Sequence, residues 1–351
     1  MPSTSGTFNF QSIQIELIIR EAFERIGILG EFVEPQKLES AKRNIDLLLL
    51  EWMNKSINLW TLELSYLPLV TAQVQYTLPF TVNNIIQANL RTSTRQLNGT
   101  AGTSDGGVAL NAFDDNPATA CTQNGADGNI SYDYGIGLTQ RVDFIGIQSN
   151  STTLYTIFVE SSADNINWTT LFAIPAQTFT AGVNAWFDIP TPVDARAYRI
   201  RENGGQILDI QEIYFNNNIL DMPISSVSRY EYMTYPNKRL QSRPSIYYFN
   251  RQITPVLNLW PAPSNQYNCL QYSYTQMIQD AGAFYTDALQ IPSCFYPALI
   301  WGLSYQLALK YNPQVAGAFK NEYEQSFNLA TVSDSESVNI SIRGDRSYGE
   351  I

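Results

Sequence analysis

Val142-Asp143-Phe144-Ile145-Gly146-Ile147, Tyr155-Thr156-Ile157-Phe158-Val159-Glu160-Ser161-Ser162 and Ala195-Arg196-Ala197-Tyr198-Arg199-Ile200-Arg201 are short runs of β type. Side chains on a strand alternate between its two faces, so runs of this kind predict half-buried strands. All three lie within residues 98–217, a stretch rich in Asn, Thr and Gly. It holds four arginines (Arg141, Arg196, Arg199, Arg201), no lysine and thirteen acidic residues. The sequence on either side differs, with helical apolar periodicity, Trp and Tyr clusters, and seventeen basic against nineteen acidic residues. This contrast reads as one folding unit lodged inside another. Residues 1–97 and 218–331 form the two halves of a body, 98–217 an insert, and 332–351 an extended C-terminal arm.

The bulk properties agree with two globular units. A chain of 351 residues, 44% apolar and 13% aromatic, can bury two cores. The insert carries −9 of the formal net charge of −11. Gripping nucleic acid needs a basic surface that displaces phosphate counterions, and none is visible. No apolar run approaches the about 20 residues that span a bilayer. Met1 to Phe10 lack the basic and then apolar pattern of a signal peptide. Three widely spaced cysteines (Cys121, Cys269, Cys294) suit reduced thiols in a protein made in a cytosol.

Much chemistry is absent. Without histidine the chain lacks the commonest general base, the usual metal ligand and any Ser-His-Asp arrangement. Gly135-Ile136-Gly137 lacks the third glycine and the helix of a phosphate loop and reads as a turn. No cysteine pair has zinc-site spacing. Two of the insert's acids could stand about 5–9 Å apart, as in a glycosidase. Scattered acids read more simply as a solvated surface, and no enzymatic activity is expected.

Outward from the insert, Ile15, Ile18, Ile19, Ala22, Phe23 and Ile26 follow helical spacing and predict a helix over about 12–29. Pro35 suits the first turn of a second helix, whose stripe is Leu38, Ala41, Ile45, Leu48 and Trp52. Residues 60–69 and 74–78 read as strands joined by a hairpin turn at Thr71-Ala72-Gln73. Beyond the insert, 245–249, 256–260 and 270–274 read as strands that share a sheet with the earlier ones. A third helix from Pro292 carries Tyr296, Leu299, Ile300, Leu303 and Leu307, and a fourth, after Asn312-Pro313, carries Val315, Phe319, Tyr323 and Phe327. Residues 332–351 are polar and should order only on a partner.

Taken in order, the flanks resemble the head-to-tail adaptor (head completion) proteins of short-tailed bacteriophages. The carrying pieces are Glu51-Trp52-Met53, Leu59-Trp60 and Val74-Gln75-Tyr76-Thr77-Leu78-Pro79. After the insert come Ile219-Leu220-Asp221-Met222-Pro223-Ile224, Arg243-Pro244-Ser245-Ile246-Tyr247-Tyr248, Leu257-Asn258-Leu259-Trp260-Pro261-Ala262-Pro263 and Leu289-Gln290-Ile291-Pro292. The resemblance implies a structural virion protein at the head-tail junction: a homododecameric ring under the portal protein, meeting the tail tube or nozzle and lining the DNA channel. Its partners would be itself, portal, tail and passing DNA held without sequence specificity, with no membrane.

The insert resembles the discoidin-type (factor 5/8 C-terminal) galactose-binding-like β-sandwich. The resemblance rests on Ala112-Phe113-Asp114-Asp115-Asn116-Pro117-Ala118-Thr119, on the three runs quoted first, on Asp164-Asn165-Ile166-Asn167-Trp168 and on Asp209-Ile210-Gln211-Glu212-Ile213-Tyr214-Phe215. Asp115 stands where that family usually has Gly. The fold class expected is therefore α+β, a helical body with a small β-sheet plus an inserted antiparallel β-sandwich of jelly-roll type. The resemblance also implies a structural calcium held by Asp114, Asn116, Thr119 and Glu212, whose oxygens suit that ion; hydrogen bonding within the loop is the other reading. No cofactor is required. Trp168 and Trp186 lie at or beside expected strands and read as packing residues rather than a sugar platform. A carbohydrate-binding tail component for host recognition is the alternative function, with carbohydrate as the alternative partner. The insert's charge points to a solvated, outer position.

Overall fold

The computed structural model describes residues 13–28, 34–55, 59–282 and 284–334. Ser12 and Leu29, the ends expected for the first helix, and all of the C-terminal arm after Asp334 lie outside the described residues. Helices are α1 (Ile15–Arg25), α2 (Pro35–Lys55), α3 (Arg229–Thr234), α4 (Tyr296–Tyr311) and α5 (Ala316–Ser333). The strands begin with β1 (Leu62–Pro68), β2 (Gln75–Thr77), β3 (Val82–Arg95), β4 (Thr100–Thr103), β5 (Cys121–Thr122), β6 (Asn129–Asp133), β7 (Gln140–Arg141), β8 (Phe144–Ser149), β9 (Thr153–Ser162) and β10 (Thr169–Phe179). They continue with β11 (Asn184–Asp188), β12 (Asp194–Ala195), β13 (Ala197–Glu202), β14 (Asp209–Ser226), β15 (Gln241–Ser242), β16 (Ile246–Asn250), β17 (Val256–Trp260), β18 (Ala262–Pro263) and β19 (Cys269–Gln276). The chain forms two compact units, one of residues 1–63 with 275–351 and one of residues 64–274.

The first unit is helical. The spacing read from the sequence becomes its core: Ile15, Ile18, Ile19, Ala22 and Phe23 of α1 and Ala41, Ile45, Leu48 and Trp52 of α2 are buried with Leu299, Leu303 and Leu307 of α4 and Tyr323 and Phe327 of α5. Trp52 is fully buried and its Nε1 donates to Tyr323 Oη at 2.9 Å, which satisfies the indole inside an apolar core. At Gly302 of α4 a Cβ would stand 2.7 Å from Leu48 Cδ2 and 3.0 Å from the Tyr323 ring, so glycine sets how closely three helices approach.

The second unit is almost all β, and β14 is its spine. The second half of β14 pairs antiparallel with β3, from Asn216 opposite Arg95 to Ile224 opposite Ala88. Its first half pairs antiparallel with β8 and β5. The segment between Gln96 and Phe215 therefore leaves the sheet and returns to it at one place. Within that segment, β11, β8, β14 and β5 form one sheet, and β10-β9-β13-β6-β4 form another. The two enclose a core that includes Ile145, Ile147, Tyr155, Ile157, Val159, Tyr198, Ile200, Ile213 and Phe215. This is an antiparallel β-sandwich.

Period-two alternation along β8 and β14 assigns their faces. Ile145, Ile147, Ile213 and Phe215 point into the sandwich. Phe144, Trp186 and Tyr214 cluster on the opposite face with Cys269 of β19, and Tyr66 of β1 packs against them. The sheet of β11, β8, β14 and β5 continues into the body as one ten-stranded sheet, in the order β1-β19-β3-β14-β16-β17-β2, over a further core of Leu90, Leu257, Leu259 and Leu270, while β7 pairs with β12 and β15 with β18. The expected hairpin between 60–69 and 74–78 does not form. The turn is present, with Gln73 N bonded to Val70 O at 3.1 Å, but β1 and β2 end on opposite edges of the sheet. The chain beyond the turn is captured elsewhere: Ala72 N bonds to Pro263 O, Leu259 N to Val74 O, and β2 pairs with β17. Gly135-Ile136-Gly137 is a turn as read, with positive φ at both glycines.

Candidate cation site at the root of the sandwich

The loop proposed to hold calcium follows a short 3-10 turn over Ala109–Ala112. Asp114 spends both oxygens inside it, accepting Asn116 N at 3.0 Å and Thr119 Oγ1 at 2.8 Å. Asn116 Oδ1 accepts Ala118 N at 3.2 Å, and its carbonyl accepts Thr119 Oγ1 at 2.9 Å. These three side chains thus shape the loop through one another. Among the described residues no group of three or more acidic or Cys side chains is placed as a metal-binding cluster.

The fourth expected ligand, Glu212, is 1% exposed and meets a cation already present in the chain. Arg95, the last residue of β3, donates from Nη2 to Glu212 Oε2 at 2.8 Å, to Ala112 O at 3.1 Å and to Ile213 O. Its Nη1 bonds to Asp115 Oδ1. The guanidinium is 9% exposed and lies over the Tyr214 ring, 4.3 Å from its centroid. Burial pushes the Glu212 carboxyl up to about 7 against the pull of Arg95, with the Asp115 and Asp114 carboxylates adding to the rise. Glu212 Oε1 is buried and meets no donor. Asp115 has φ of 57°, the left-handed region where glycine is favoured, which accounts for the family's usual Gly there. Here an aspartate holds the same turn and turns its carboxylate to Arg95. A calcium ion bound by Glu212 would have to share it with that guanidinium, so this arrangement does not fit the ion.

A second arginine lies four residues earlier on the same face of β3. Arg91, 8% exposed, bonds through Nη1 to Asp188 Oδ1 at 2.6 Å and to Tyr66 Oη at 3.0 Å. Its Nη2 and Nε take the two oxygens of Asp221 at 2.6 and 2.7 Å. Asp188 ends β11 of the sandwich, so both arginines of β3 reach from the body sheet into the insert. Sequence reading missed both. The only available signal was a pair of arginines at spacing four in a strand just before the insert.

Three more of the insert's acids sit in ion pairs with the insert's own arginines. Glu160 is bracketed by Arg199 at 2.5 Å and Arg201 at 2.9 Å, Asp133 by Arg196 at 2.6 Å, and Asp143 by Arg141 at 2.7 Å. All four of the insert's arginines are spent on these three acids. Of the two tryptophans, Trp186 is buried and Trp168 is half-buried. Trp186 is 5% exposed and stacks on Phe144 with centroids 5.0 Å apart, while the Arg199 guanidinium lies 4.3 Å from the Trp168 ring.

Residues 137–343 match the family model described as SU10 adaptor protein. Among solved structures, the chain is similar to chitosan-binding module 1 of the chitosanase/glucanase of Paenibacillus sp. IK-5, at 20% identity over 34% of this chain and 96% of that one, with a TM-score of 0.29. It is also similar to the family 32 carbohydrate-binding module of C. perfringens NanJ in complex with galactose, at 18% identity over 36% of this chain and 99% of that one, with a TM-score of 0.30. A pectin-binding module is similar at 19% identity over 36% of this chain and 94% of that one, with a TM-score of 0.30. No curated protein matches the chain.

Proposed function

Because this chain belongs to the SU10 adaptor family of phage head-to-tail adaptors, we propose that it is a structural virion protein that assembles as a ring between portal and tail and lines the path of the DNA. The observation that carries this reading is the family match over 137–343, which runs from β7 through the body strands to both C-terminal helices. The first unit, with its four packed helices, is the helical part of the adaptor body in this reading, and copy number follows the resemblance as a dodecamer. Seventeen basic residues against nineteen acidic ones outside the insert support a conduit through which DNA passes without being gripped. No catalytic role is proposed. Histidine is absent, and the insert's paired acids serve ion pairs rather than a free carboxylate dyad.

The test is negative-stain microscopy of the purified chain alone and mixed with portal. Rings seated on the portal are expected. Failure to bind portal, together with binding to host polysaccharide, would replace this reading with a carbohydrate-binding tail component.

A further inference from the structure

Four oxygens converge on the Arg95 guanidinium: the carbonyls of Ala112 and Ile213 and the carboxylates of Asp115 and Glu212. Two carboxylates and two backbone carbonyls, with no nitrogen or sulfur among them, are the donor set of a hard divalent cation. The cage is also built to need a cation. Glu212 is buried, its Oε1 meets no donor, and an isolated carboxylate in such a place is strongly disfavoured. The guanidinium cannot lose its proton; its Nη2 turns two hydrogens to three of these oxygens and its Nη1 faces the fourth, while its Nε is buried without an acceptor.

We propose that Arg95 is the resident cation of this loop, taking the place of calcium, and that the cage binds calcium only once Arg95 is removed. The cation comes from β3, outside residues 98–217, whereas all four of its acceptors lie inside them, Ala112 O and Asp115 in the loop and Glu212 and Ile213 O on β14. The sandwich therefore completes its loop only when β3 is paired to β14. Mounting the insert and neutralising its buried acid are one event, independent of the ion content of the surroundings.

The test compares full-length wild type, Arg95→Ala and Arg95→Gln by thermal unfolding and calorimetric titration, in chelator and in millimolar calcium chloride. Wild type is expected to show no calcium-dependent shift and no heat. Both variants should melt several degrees lower in chelator, recover at least half of that loss in calcium, and release heat on titration. A calcium response in wild type overturns the proposal, and so does a folded variant that ignores calcium. Should Arg95→Ala fail to fold, Arg95→Gln carries the test, because its amide still fills the space without charge. If neither folds in chelator, refolding in calcium must restore soluble protein, and failure to do so overturns the proposal as well.

Discussion

Removing the acids around Arg91 should destabilise the protein more than removing Arg91 itself. The arginine is 8% exposed, whereas Asp188 and Asp221 are 45% and 32% exposed. In Arg91→Met, both carboxylates can turn to water, and the methionine still fills the space beside the Tyr66 and Phe144 rings, each 5.2 Å from the guanidinium. The loss is then that of a partly screened ion pair with its hydrogen bonds, about 1–2 kcal/mol. In Asp188→Ala with Asp221→Ala, the guanidinium stays in its buried place with Tyr66 Oη as one remaining acceptor. An uncompensated buried charge costs about 3–5 kcal/mol. Urea unfolding of the full chain, followed by circular dichroism with the slope checked for constancy, measures both. An Arg91→Met loss equal to or larger than that of the double variant would refute the reasoning, since it would mean that desolvation of the cation does not govern this seam.

Other outcomes follow from single contacts. Gly146→Ala places a Cβ 2.4 Å from the Trp186 ring that stacks on Phe144, and the overpacking should cost about 1–3 kcal/mol in a thermal melt. Asp115→Ala should be less stable than Asp115→Gly by about 1 kcal/mol, because both lose the contact with Arg95 but only glycine adopts φ of 57° freely. Burial pushes the Glu160 carboxyl up, but Arg201 and Arg199 together hold it below the usual carboxylate range. Its stabilising contribution is present above the unfolded value, about 4.3, and is lost as pH falls through the lower folded value. Glu160→Gln should therefore flatten the acid limb of the stability–pH curve and leave its neutral limb unchanged in slope. Trp52→Phe removes the indole bond to Tyr323 and part of a fully buried ring, and about 1–3 kcal/mol of loss is expected by urea unfolding.

The sequence made the helical stripes legible because every one of them is a local pattern. The stripes of α1 and α2 face the core as their spacing requires, with Leu38 only partly buried, and those of α4 and α5 do the same, with Ile300, Val315 and Phe319 partly buried. Strands 246–250, 256–260 and 269–276 were visible as alternating runs for the same reason. Pairing was not visible. The turn at Thr71-Ala72-Gln73 looked like a hairpin, yet which strand each arm joins depends on partners nearly two hundred residues away, such as Val74 meeting Leu259. The candidate site was partly legible for the same reason. Asp114, Asn116 and Thr119 are close in sequence and are indeed together, and Glu212 lies close by. The cation came from Arg95, whose burial depends on β3 pairing with β14 and leaves no mark in composition.

That dependence bears on what the insert does for the adaptor. An inserted domain joined only by two linkers is free to move relative to its host. Here β14 is one continuous strand running from the insert into the body, β3 lies against its second half, and two buried arginines bind β3 to the insert's acids. Trp186, Phe144 and Tyr214 fill the same seam with aromatic packing against Cys269 and Tyr66. Swinging the sandwich would expose those rings and strip Glu212 and Asp188 of their guanidinium partners at once. Several independent terms of a few kcal/mol each oppose such motion, and the penalties for unpaired buried charge are the largest of them. The sandwich is therefore held in fixed orientation on the body sheet, whereas a domain tethered by two linkers would need neither the shared strand nor the arginines.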